Sequence, residues 1–93
     1  MASGDVVNGF LPASTWTTFQ PAVGVEVVIT SVLGKTNDME VYITDGVTVG
    51  GMNVNNSSGG YTNVNFKIGI TNTRYLRAKS AGDNGFFSGF VTK

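Results

Sequence analysis

The sequence predicts an all-β domain, a compact antiparallel β-sandwich of jelly-roll-like type with seven to eight short strands and no significant helix. Three observations predict it. Apolar and polar residues alternate in run after run, as in Val25-Val27-Ile29, Met39-Val41-Ile43 and Val64-Phe66-Ile68-Ile70, and a period of two sends successive side chains to opposite faces of a strand. Clusters of Gly, Asn, Asp, Ser and Pro separate these runs at close spacing, which is the turn chemistry of short strands. No stretch carries the apolar stripe of an amphipathic helix.

Taken in order, residues 1–5 are small and polar with little to bury, so a flexible arm is expected there, followed by a single domain over 6–93. Val6, Val7, Phe10 and Leu11 form the first apolar cluster, and Pro12 removes a backbone donor and holds Leu11 extended. A short edge strand over 5–11 follows from this. Residues 15–20 are β-prone, with Trp16, Thr18 and Gln20 on one parity and Thr15, Thr17 and Phe19 on the other, until Pro21 stops the run. A lone tryptophan in such a strand is expected to pack in the core or between strands.

The stretch 25–52 reads as a three-stranded antiparallel meander. Its first two runs are joined by the polar loop 34–38, and the next two by Asp45-Gly46, a pair suited to a two-residue type I′ turn. Gly50-Gly51 interrupts the pattern and opens an exposed loop over 53–60, where Asn55 and Asn56 begin glycosylation sequons. The strand that follows has a dry face of Val64, Phe66, Ile68 and Ile70 and a wet face of Asn63, Asn65, Lys67 and Thr71. Over 75–80, Leu76 and Ala78 point inward while Tyr75, Arg77 and Lys79 share the other side. The turn 81–85 leads into Phe86-Phe87-Ser88-Gly89-Phe90-Val91, which is apolar on both parities.

Composition removes several function classes. The 93 residues include neither cysteine nor histidine, so disulfides and thiolate metal sites have no donors, and the lack of histidine weighs against hydrolase triads, zinc sites and histidine pH switches. Six basic and six acidic residues give zero net charge, without the basic excess that displaces counterions from nucleic acid. No apolar run approaches a membrane span, and the opening residues lack the basic and apolar regions of a signal peptide. The expectation is no nucleic-acid partner, no membrane, no cofactor and no catalytic or metal site. Asp38, Glu40 and Asp45 are too widely spaced for a calcium loop and read as turn and surface carboxylates.

Two clusters remain as candidate contact residues. Tyr61, Arg74, Tyr75 and Arg77 combine aromatic area with directed hydrogen bonds, which suits a protein interface or a sugar, or else covers a sheet face through cation–π pairs. In the C-terminal strand, Phe87 and Val91 take one face and Phe86 and Phe90 the other. One pair is therefore left for a neighbouring molecule unless residues of the N-terminal segment such as Val6, Phe10 or Trp16 fold over it.

The opening Met1-Ala2-Ser3-Gly4-Asp5-Val6-Val7, the stretch Phe19-Gln20-Pro21-Ala22-Val23-Gly24-Val25-Glu26-Val27, the hairpin Tyr42-Ile43-Thr44-Asp45-Gly46 and the late Tyr75-Leu76-Arg77 resemble small virion proteins of tailed bacteriophages, of the marine and cyanobacterial type. The resemblance implies a non-enzymatic β domain that decorates or cements a capsid surface. It would be made in the host cytoplasm, carried on the virion, and bound to the major capsid protein or another virion protein as a symmetric homo-oligomer, with a trimer favoured. The alternative is a glycan-binding or structural module of a tail fibre or adhesin.

Overall fold

The structure, a computed structural model, describes residues 2–35, 38–55 and 62–93. Its eight strands are β1 (Val6–Leu11), β2 (Thr17–Phe19), β3 (Val27–Gly34), β4 (Asp38–Thr44), β5 (Val49–Asn55), β6 (Thr62–Ile70), β7 (Tyr75–Ser80) and β8 (Gly85–Val91). They pair antiparallel into two sheets of four, in the orders β1-β8-β3-β6 and β2-β7-β4-β5. With the exception of β4 to β5, each strand leads to one in the opposite sheet, which is the connectivity of a jelly roll. The fold class expected from the alternation is the one found.

The core lies between the sheets. From the first come Leu11, Val27, Ile29, Val32, Ile70, Phe87 and Val91, and from the second Met39, Val41, Leu76 and Ala78, all buried. Each sits at the inward parity of its strand, which in β3 changes at the bulge between Ile29 and Ser31; β7 buries Leu76, Ala78 and Ser80 and turns Tyr75, Arg77 and Lys79 outward, as expected. Glycines allow the closest backbone approaches. A side chain at Gly51 would collide with Val41 O, and one at Gly89 with Val28 O.

Four local expectations are corrected. The meander over 25–52 does not form, because β3 belongs to the first sheet and only β4 and β5 form a hairpin in the second. Alternation assigns a face to each residue but not a sheet to each strand. The inward residues of β3 and β4 therefore oppose one another across the core instead of lying side by side. Secondly, Thr44 pairs with Val49, which makes the hairpin loop four residues long instead of two. Only Gly46 in it has a left-handed φ, +97°, and Val47 is exposed rather than in a strand. The loop closes through the Asp45 carboxylate, whose Oδ1 accepts from Val47 N at 2.9 Å and Thr48 N at 2.7 Å.

Thirdly, Gly50 and Gly51 lie inside β5 and do not end it. Finally, residues 2–5 form a turn held to the C-terminus: Gly4 N donates to Val91 O at 2.7 Å, and Val91 N donates to Asp5 O at 2.8 Å. Of the expected exposed loop 53–60, residues 53–55 belong to β5 and the remainder lies outside the described residues.

The dry face of β6 is drier at its ends than in its middle. Thr62 and Ile70 are buried, Val64 and Phe66 are half-buried and Ile68 is exposed. β6 and β5 are the edge strands on one flank, and an apolar cleft of about 170 Å³ runs between them, with Met52, Phe66 and Ile68 among its lining residues.

Candidate functional site

Strand β8 decides the outer surface of the first sheet. Phe87 and Val91 are buried, Phe86 is half-buried, and Phe90 is 40% exposed. Phe87 meets Phe19 of the opposite sheet with ring centroids 5.3 Å apart, so the inward member of the candidate trio is core and the outward two form a surface.

The strands flanking β8 extend that surface. Phe10 of β1 and Leu33 of β3 stand opposite Phe86, while Val6 of β1 and Val28 of β3 stand opposite Phe90. A polar row of Asn8, Ser88 and Ser31 separates the two apolar clusters. Phe10 is 75% exposed and Val6 69% exposed. The N-terminal segment, which offered the alternative of folding over that face, instead lies beside Phe86 and Phe90 in the same sheet, so its Val6 and Phe10 enlarge the exposed face. Trp16 does not cover it either, because it lies over the second sheet.

On the second sheet's outer face, Tyr75, Arg77 and Lys79 of β7 line up with Thr44, Tyr42 and Glu40 of β4. Trp16 lies over this row. Its ring stacks on Tyr42 with centroids 5.5 Å apart and an interplanar angle of 27°. The Arg77 guanidinium stands 4.5 Å from the indole centroid and Lys79 Nζ 5.5 Å from it. Tyr42 donates its hydroxyl to Glu40 Oε1 at 3.0 Å, and that bond holds the phenol's pKa above its ordinary value. Glu40 also reaches Lys79 at 3.9 Å.

Of the second candidate cluster, Tyr75 and Arg77 therefore come together. Arg74 stands at the preceding turn near Asp45, whose carboxyl is held below its ordinary range first by the amides of Val47 and Thr48 and then, more weakly, by that guanidinium. Tyr61 lies outside the described residues. Among the described residues, no three carboxylate side chains gather as metal ligands.

Trp16, Tyr42, Phe10 and Val6 belong to these surfaces and were not among the candidates. Parity already grouped Trp16 with Thr18 and Gln20, but the size of the indole argued for burial. The half-buried Phe19 on the opposite parity shows which face is the core.

No protein-family model and no curated protein matches the chain. Among solved structures, it is similar to the nucleoplasmin-like N-terminal domain of Drosophila FKBP39. The TM-score is 0.67 at 12% sequence identity, with 100% of this chain and 93% of that chain covered. At that identity the likeness bears on the fold alone, a β-sandwich of two four-stranded sheets.

Proposed function

We propose that this chain is a non-catalytic structural subunit that self-assembles through the outer face of the sheet β1-β8-β3-β6 and decorates or cements the capsid of a tailed bacteriophage. The observation that carries the assembly step is the exposure of Phe10, Val6 and Phe90 on one face with Phe86, Leu33 and Val28 between and beside them. Burying a phenylalanine is worth roughly 1.5–3 kcal/mol, so a contact covering both clusters recovers several such increments. Closed symmetry repeats the contact around an axis. A trimer fits the threefold or quasi-threefold positions of an icosahedral shell.

The virion assignment is supported by the sequence resemblance given above. It also agrees with an architecture that viral capsid proteins use, although the same fold serves other ends. The partner is the major capsid protein, and the working location is the virion surface. Mixing the protein with undecorated shells tests this reading. Binding at a fixed stoichiometry that follows the lattice symmetry is expected, and binding to host cells with none to shells would overturn it.

A further inference from the structure

We infer that the outer face of the second sheet holds a separate binding site for an acidic saccharide, a glycan carrying a uronic- or sialic-acid carboxylate. The site is a groove of about 500 Å³, within the size range of small-ligand sites. β2 and its flanking residues form one wall, the β4–β5 loop forms the other, and Tyr75 and Arg77 form the floor.

The lining combines the two things a pyranose needs. Trp16 and Tyr75 supply aromatic area against which the apolar face of a sugar ring packs. Around them stand polar groups of both kinds. Thr18 and the Tyr75 phenol donate and accept, and Gln20 donates its Nε2 to Asn72 O at 2.7 Å, which leaves the Gln20 carbonyl oxygen as an acceptor.

Charge selects the acid. Among the described residues, Arg77 is the one charged residue lining the groove, and no carboxylate lies within ion-pair distance of it. Glu40, the nearest candidate along β4, is engaged by Tyr42 and Lys79. The guanidinium carbon lies 4.5 Å from the indole centroid, and its N–H groups form a fork that matches a carboxylate. The site lies on the opposite sheet from the proposed assembly face, so one molecule can use both.

Trp16 is the only tryptophan in the chain, and its emission reports on the groove directly. The purified protein is titrated with uronate and sialylated oligosaccharides, with their methyl esters, and with an acidic peptide. A saturable change in emission is expected with at least one acidic saccharide, and its methyl ester should bind on the order of tenfold more weakly or worse, the worth of a charge-assisted hydrogen bond. Arg77→Gln should bring the acid down to the affinity of the ester. No saturable change with any saccharide, equal affinity for acid and ester, or binding of the peptide alone would each overturn the inference. The comparison of acid with ester is made on the unaltered protein and does not depend on how a variant folds.

Discussion

Phe10 and Phe86 meet edge to face on the outer surface of the first sheet, with ring centroids 5.4 Å apart and an interplanar angle of 64°. One residue further along β8, Phe87 packs into the core against Phe19. Aromatic pairing thus holds the same strand on both sides, with Phe87 buried and Phe19 half-buried in the inner pair. An edge-to-face pair contributes about 0.5–1.5 kcal/mol beyond the area it buries, so Phe10 helps dock β1 onto β8 even while most of its ring stays exposed.

Gly89 stands opposite Ile29, where the register of β3 against β8 shifts and Thr30 Oγ1 donates to Ser88 O at 3.3 Å. A Cβ there collides with Val28 O and lies 2.9 Å from Ile29 Cα. Backbone cannot yield as a flexible side chain does, so Gly89→Ala should cost about 1–3 kcal/mol or more. Chemical denaturation measures this, and an unchanged midpoint would show that β3 and β8 separate easily at the bulge.

Gly46 has φ +97° in the β4–β5 loop, with the Tyr75 hydroxyl 3.4 Å from the position of a Cβ. Gly46→Val places a β-branched side chain in the left-handed region and should lower stability by about 1 kcal/mol or more. A thermal melt indistinguishable from that of the parent would mean the loop adopts another conformation in solution.

The depressed pKa of Asp45 gives a pH signature with a definite sign. The folded state favours the ionised carboxylate because the Val47 and Thr48 amides donate to it. Its contribution is therefore present above the ordinary aspartate value of about 3.9 and is lost as pH falls through the lower folded value. Asp45→Asn keeps an acceptor oxygen and loses the titration. Melting temperatures of the two proteins should diverge at neutral pH and converge in acid, and parallel profiles from pH 7 down to about pH 2 would contradict the assignment.

Ser80 is fully buried, and its hydroxyl has no partner among the described residues, while its carbonyl accepts from Ser14 N at 2.7 Å. A buried hydroxyl without a partner costs about 1–3 kcal/mol. Ser80→Ala should leave the urea midpoint unchanged or raise it, and a clear fall would show that the hydroxyl is bonded.

How much of this was legible follows the physics of each signal. Period-two alternation is local, so the inward residues of β4 and β7 and the outward Tyr75, Arg77 and Lys79 could be read directly. The split of β8 into Phe87 within and Phe86 and Phe90 without was also legible as a pairing of faces, but not which pair is core. Sheet membership is set by contacts far apart in the chain, and that is why β3 was grouped with β4. Asp45-Gly46 has the composition of a tight turn, but the Asp45 side chain bonds two amides ahead and opens the loop to four residues. Gly50-Gly51 reads as a break because glycine is rare inside strands. Only the close approach of Val41 O explains why one is needed there.

The central claim is that the outer face of β1-β8-β3-β6 is an interface between copies of this chain, and molar mass in solution tests it most directly. Sedimentation or light scattering at micromolar concentration should give three times the 9.8 kDa of the single chain. Phe90→Lys and Phe10→Lys should each yield a folded monomer with an unchanged β-rich spectrum, whereas Phe87→Lys, on the buried face, should unfold the protein. A mass near 9.8 kDa for the unaltered protein would contradict the account.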